Sequence, residues 1–194
     1  RYQYNRQFRI GVVGLGVGTL AAYANAYINP NRPNATYVRE MARYPPDYMR
    51  FYELNPQVVA WANDRFSFLA DARVRGSDMD VFEGDARIVL ERQLHRGEAQ
   101  KFDVLAIDAF SSDAIPLHLL TRQAFETYLD HLQDDGILAL HITNRYVDLI
   151  PIVARLAENA GMNAIYIENY DDDDRHVSSS DWILVTSNQD FLDI

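Results

Sequence analysis

Seven short apolar runs punctuate the chain: 8–13 (FRIGVV), 49–54 (MRFYEL), 79–83 (MDVFE), 102–108 (FDVLAID), 136–143 (GILALHIT), 164–169 (AIYIEN) and 182–187 (WILVTS). Several are nearly continuous rather than alternating, as strands covered on both faces are. Stretches of helical period lie between them. Residues 56–70 carry Val58, Val59, Ala62, Phe66 and Leu69 at mixed three- and four-residue spacing. Asn55-Pro56 supplies an N-cap followed by proline at the first helical position. Residues 121–133 carry Ala124, Phe125, Tyr128, Leu129 and Leu132, with Thr121 as the cap. Residues 149–160 carry Ile150, Val153, Ala154 and Ala157, and Gly161 is placed to stop that helix.

Strand alternating with helix predicts an α/β fold with a doubly wound, mainly parallel sheet. Right-handed crossovers then bring the C-terminal tips of the parallel strands to one edge, where ligands bind. The last two runs are joined by Asp171–Asp174, Arg175, His176 and Ser178–Ser180, a polar loop rather than a helix, which suits an antiparallel final strand. Residues 28–47 read as an insertion, because Asn29-Pro30, Arg32-Pro33 and Pro45-Pro46 break any long helix there. That insertion, with Tyr37, Met41, Tyr44 and the adjoining Tyr48, would either cover a pocket or meet a second subunit.

At 194 residues the chain suits one domain spanning 1–194 with a substantial core. No apolar run reaches the length of about 18 residues that a membrane span needs. The opening Arg1-Tyr2-Gln3-Tyr4 has no signal-peptide pattern, and its abrupt start is that of a domain cut from a longer protein. The chain has no cysteine, which excludes disulfides, thiolate metal sites and a cysteine nucleophile. The formal net charge of −10, with scattered arginines, argues against nucleic acid and favours a cationic ligand. The expected location is the cytoplasm, as a free domain or as the soluble part of a membrane-anchored protein.

The strand tips carry the candidate chemistry. The first strand ends in Gly14-Leu15-Gly16-Val17-Gly18, a turn that runs into a helix and lets a ligand approach the backbone closely. Glu53 ends the second strand, where a carboxylate accepts hydrogen bonds from both hydroxyls of a ribose. Asp85 follows the third strand in Glu83-Gly84-Asp85-Ala86-Arg87, and an acid beside a backbone N–H can grip the amino edge of an adenine. Asp108 ends the fourth, followed by Ala109-Phe110-Ser111-Ser112-Asp113. His141 lies in an apolar run and reads as a packed core or tip residue rather than a base. Trp61 and Trp182 read as core or rim, and Asn144-Arg145-Tyr146 follows the fifth strand's tip. Ser111 or Ser112 with His118 and an aspartate lacks the G-x-S-x-G elbow of a hydrolase. Asp171–Asp174 with His176 has donors for a divalent cation but reads as a solvated loop, so no metal is expected.

The runs VVGLGVGTLAAY, FYELNP, EGDAR and above all VLAIDAFSSDAIPLHLLT resemble the spermidine synthase-like branch of the class I methyltransferase fold. The likeness extends from about residue 8 to about residue 187 and is nearest to bacterial spermidine synthase-like domains, some of them fused to transporter-like membrane segments. It implies a Rossmann-like seven-stranded sheet with a reversed last strand. It also implies decarboxylated S-adenosylmethionine, or S-adenosylmethionine, as cofactor, with methylthioadenosine as the product of aminopropyl transfer. By position, Gly14, Gly16 and Gly18 match the glycine motif, Glu53 the ribose acid, and Asp85 with Ala86 the adenine pair. Asp108 matches the aspartate that binds the attacking amine and takes its proton. Asp113 matches the second aspartate of that loop, at a spacing longer by about two residues.

Three departures accompany the resemblance. Val17 stands where these enzymes carry an aspartate that holds the cofactor's amino group. The D-S-S-D-P loop is replaced by Asp108-Ala109-Phe110-Ser111-Ser112-Asp113-Ala114. About seven residues precede the first strand, so the family's small N-terminal β-domain is expected to be missing. Three readings follow: an aminopropyltransferase acting on a polyamine-like amine, an S-adenosylmethionine-dependent methyltransferase, and a non-catalytic nucleoside-binding domain of a larger membrane-associated protein. The expected partner is a small cationic amine, with a homodimer as an open assembly.

Overall fold

The computed structural model describes residues 6–24, 45–109, 115–144, 147–175 and 178–193. All seven expected strands form, within a residue or two of their expected ends save one. They are the strands of a mainly parallel α/β sheet. The chain divides into two compact units, Arg1–Ala86 and Arg87–Ile194.

In the first unit, β1 (Arg9–Val13) pairs in parallel with β2 (Tyr48–Glu53), and β2 in parallel with β3 (Asp78–Glu83). The period of two splits the strands into two faces. Val12, Met49, Phe51 and Met79 belong to a core cluster with Leu15, Ala21, Ala62, Leu69 and Ala72. Fully burying a Phe, Leu or Met side chain is worth about 1.5–3 kcal/mol, so this cluster dominates the unit's stability. The alternate positions carry a polar ladder. Asp80 accepts from the Tyr48 hydroxyl at 2.6 Å and from Arg50 at 2.8 Å, while the Arg50 guanidinium lies 4.5 Å from the centre of the Phe82 ring.

Two local expectations are corrected here. The glycine turn enters a 3₁₀ helix, Thr19–Tyr23, and the insertion that follows lies outside the described residues as far as residue 44. The single helix expected over 56–70 is two helices, α1 (Pro56–Asp64) and α2 (Phe68–Val74). Asn55 caps the first as expected, accepting from the Gln57 N–H at 2.9 Å. One unbroken helix would put Ala62, Phe66 and Leu69 on a single stripe. The break instead leaves Phe66 exposed and turns Leu69 and Ala72 into the core. There α2 packs against the 3₁₀ turn, and Arg75 beyond its end donates to the carbonyls of Ala21 and Ala22.

In the second unit, α3 (Ala86–His95), which starts on the last residue of the first, leads to β4 (Phe102–Ile107). A 3₁₀ turn, Leu117–Leu120, and α4 (Arg122–Asp130) lead to β5 (Leu132–His141). Then come α5 (Ile150–Asn159), β6 (Asn163–Asn169), β7 (Ser180–Thr186) and a short α6 (Gln189–Leu192). The β4–β5 pair is parallel, and β7 runs antiparallel to both β5 and β6, as the polar loop before it led one to expect. That loop does contain one helical turn, a 3₁₀ segment at Asp173–Arg175.

Strand β5 starts four residues earlier than its apolar run. Asp134-Asp135-Gly136 is an irregularity within the strand, where the register with β4 jumps from Phe102↔Leu132 to Val104↔Ile137. A Cβ on Gly136 would sit 3.0 Å from the Phe102 and Gln133 carbonyls and from Leu132 Cβ, so the close crossing needs glycine. The early start also shortens α4. Thr121 caps that helix by accepting from the Ala124 N–H at 3.2 Å, but the helix ends at Asp130 and Leu132 belongs to β5. Among the described residues no helix is long and apolar enough to cross a membrane.

Candidate functional site

The glycine turn and Glu53 come together in the first unit. Parallel pairing of β1 with β2 brings their tips side by side, and the Gly14 N–H donates to the Tyr52 carbonyl at 2.9 Å. Beyond that bond the Glu53 carboxylate takes over. Its Oε2 accepts from the Leu15 N–H at 3.0 Å and its Oε1 from the Asn55 N–H at 2.9 Å. A carboxylate has about four lone-pair sites, so each oxygen keeps capacity for a further donor. Gly14, Gly16 and Gly18 all have positive φ. A Cβ on Gly16 would meet nothing within 4 Å, so this stretch of backbone faces open space.

The next tip is tied to the same edge. Glu83 pairs with Glu53, and the Gly84 N–H donates to the Glu53 carbonyl at 2.8 Å. Asp85 and Ala86 therefore follow directly beside the Glu53 tip. Leu54 was not singled out by the sequence reading, yet it is 67% exposed next to Glu53. An exposed leucine adjoining a fixed carboxylate offers apolar area beside polar acceptors, as nucleoside-binding surfaces do.

Asp108 lies at the tip of β4 in the second unit. Its Oδ1 is 2.7 Å from the Nδ1 of His141, the last residue of β5. His141 is thus a tip residue, and it is bonded to the candidate catalytic acid, which its apolar surroundings in sequence gave no sign of. Its Nε2 is 2.8 Å from the Thr143 hydroxyl, and that oxygen accepts from the Asp181 N–H at 2.7 Å. The imidazole stacks on Trp182, with ring centres 4.6 Å apart and planes 6° from parallel. The side chains of His141 and Asp108 are 21% and 32% exposed, so the pair is partly shielded yet reachable.

Asp113, Ser111 and Ser112 lie outside the described residues, as do Arg145, Tyr146 and His176. The chain re-emerges at Ile115, and there Arg87 braces it. The guanidinium donates to the His118 carbonyl at 3.1 Å and to the Thr121 hydroxyl at 3.3 Å, while Nε pairs with Glu91 at 2.8 Å. Arg87 belongs to the EGDAR motif, but His118 and Thr121 lie more than thirty residues away and no local pattern announces those two bonds. In the acidic loop, Asp171 accepts from the Ser179 N–H at 2.7 Å and so closes the turn between β6 and β7.

The sequence is 32% identical over 130 residues to the polyamine aminopropyltransferase of Vibrio vulnificus. The chain is a spermidine synthase-like domain. The match covers 67% of the chain and 36% of the relative, so the domain spans about a third of that protein's length. No family model matches the sequence. The fold is that of class I S-adenosylmethionine methyltransferases. Human methyltransferase-like protein 13 in complex with SAH aligns with a TM-score of 0.63 and 18% identity, over 93% of this chain and 72% of that one. A spermidine synthase in complex with the transition state analogue AdoDATO aligns with a TM-score of 0.62 and 12% identity, over 94% of this chain and 55% of that one. At these identities the structures speak for the fold, and the spermidine synthase-like assignment rests on the curated relative.

Proposed function

We propose that this spermidine synthase-like domain transfers an aminopropyl group from decarboxylated S-adenosylmethionine to a small cationic amine, leaving methylthioadenosine. The observation that carries the reading is the 32% identity over 130 residues to a polyamine aminopropyltransferase. It is supported by a carboxylate, Asp108, fixed at one of the strand tips by a hydrogen bond.

The residues present suit an adenosine group. Glu53, steadied by two backbone N–H donors, has lone pairs left to accept from both ribose hydroxyls. The positive-φ glycines leave room for close approach over Gly16. Asp85 and the Ala86 N–H would take the amino edge of the base, and Leu54 would cover its face. The sulfonium compound supplies, when bound, an electrophilic carbon and a neutral thioether leaving group.

Asp108 binds the attacking nitrogen. An alkylammonium has a pKa of about 10.4, so the amine arrives protonated and must shed a proton to become a nucleophile. Asp108 orients the ammonium, and its carboxylate accepts that proton as the new bond to nitrogen forms. Alignment is the larger part of the task, because the leaving group needs no further activation. Asp113 is proposed as the second carboxylate of the amine site, and the net charge of −10 favours the approach of a cation. Replacing Asp108 with Asn tests the assignment: transfer should be abolished while methylthioadenosine still binds. Unchanged turnover removes Asp108 from this role.

A further inference from the structure

We infer that His141 is a positioning residue for Asp108, held in its Nδ1-protonated tautomer by the Thr143 hydroxyl on its other side. The inference rests on the reading of Asp108 as the amine-binding carboxylate, and the test below separates the two.

The hydrogen count leads to the tautomer. Nδ1 and Oδ1 of Asp108 stand 2.7 Å apart, and two bare acceptors at that distance would repel, so a proton lies between them. On the far side the Thr143 oxygen accepts from the Asp181 N–H at 2.7 Å and lies 2.8 Å from Nε2. In the neutral ring Nε2 is then an acceptor, and the Thr143 hydroxyl donates its own proton to it. The bonds run in one direction, from the backbone of Asp181 through Thr143 and the imidazole to Asp108. Free histidine favours the opposite tautomer, so this arrangement is imposed by its neighbours.

One further contact holds the ring. The register of β5 with β7 pairs His141 with Trp182, and the two rings stack face to face at 4.6 Å. With its plane fixed by the indole and its edges fixed by Thr143 and Asp108, the imidazole has little freedom to turn.

The consequence falls on Asp108. Its Oδ1 is committed to the ring N–H, which stops the carboxylate from rotating and leaves Oδ2 outside that bond. An exposed aspartate without such a donor would sample several orientations, and misplacement of a reacting group is costly in rate. A neutral donor achieves this without setting a second cation beside an incoming ammonium. An arginine or lysine in the same place would repel the amine and compete for the carboxylate.

Nitrogen NMR on the imidazole-labelled chain reads the tautomer directly, with His141 assigned among the five histidines by the signal lost in His141→Asn. The Nδ1-protonated signature is expected, and an Nε2-protonated ring at neutral pH would overturn the inference. Kinetics reads the consequence. In His141→Leu, which has no donor, kcat for aminopropyl transfer should fall by about tenfold or more, with methylthioadenosine affinity close to wild type. In His141→Asn the side-chain amide can donate from near the position of Nδ1, and most of the lost rate should return. A His141→Leu protein as fast as wild type, one that loses nucleoside affinity in step with rate, or a His141→Asn protein as slow as His141→Leu each contradicts the positioning role. A wild-type chain that transfers nothing defeats the reading of Asp108 instead, and the tautomer alone then judges the His141–Asp108 bond.

Discussion

The backbone N–H of Leu15 donates to the carboxylate of Glu53 at 3.0 Å, tying the glycine turn after β1 to the tip of β2. One side chain thereby shapes the loop and presents acceptors beside it. The Glu53→Ala protein should bind methylthioadenosine more weakly by about 1–3 kcal/mol, because a charged hydrogen-bond partner is lost. Calorimetric titration of the two proteins measures the difference, and equal affinities would contradict the proposed nucleoside-binding role of Glu53.

Gly18 offers a test of the same turn by stability. Its φ is +85°, and a Cβ there would come within 3.2 Å of Leu69 Cγ in the core. Gly18→Ala combines a strained backbone with an overpacked contact, and should lower stability by about 1–3 kcal/mol. Urea denaturation reads this out, and a midpoint equal to wild type would show that the turn does not pack as described.

His131 should behave quite differently from His141. It is fully buried, with Nδ1 accepting from the Gln100 N–H at 3.0 Å and Nε2 3.0 Å from the Leu90 carbonyl. It joins α3, the loop before β4 and the start of β5. His131→Ala leaves a cavity and removes both hydrogen bonds, and should cost about 2–4 kcal/mol in stability. A loss of less than about 1 kcal/mol would be the size of an ordinary surface substitution and would contradict this role.

Much of this was legible in the sequence. The seven strands, the Asn55 and Thr121 caps, the Gly161 stop and the reversed last strand rest on local pattern, which a single sequence displays. Residue pairs that depend on strand register were not legible. Asp108 and His141 lie thirty-three residues apart, and only the pairing of β4 with β5 makes them neighbours. The same holds for Arg87 and the turn at His118. The break at Arg65–Ser67 was hidden because the apolar residues on either side of it continue a helical period. There tertiary packing of Leu69 and Ala72 overrides the local pattern.

Acid titration of stability follows from the polar ladder of the first unit. The Tyr48 hydroxyl, donating to Asp80, holds that carboxyl below the usual carboxylate range; burial opposes the shift and Arg50 adds to it. A depressed pKa contributes stability that is present above the unfolded value of about 3.9 and is lost as pH falls through the folded one. Asp80 is 44% exposed, so solvent screening keeps the contribution small. The wild type should therefore lose stability more steeply than Asp80→Asn as pH drops below about 4. Parallel slopes in thermal melts across that range would contradict the assignment.

Aminopropyl transfer itself is tested most directly by titrating the protein with decarboxylated S-adenosylmethionine, S-adenosylmethionine and methylthioadenosine side by side, then adding a diamine such as putrescine and following methylthioadenosine release. The account predicts preference for the decarboxylated compound and methylthioadenosine, with release that depends on the amine. Preference for S-adenosylmethionine, with S-adenosylhomocysteine as product, would contradict it in favour of methyl transfer, and binding without any turnover would reduce the domain to a nucleoside-binding module.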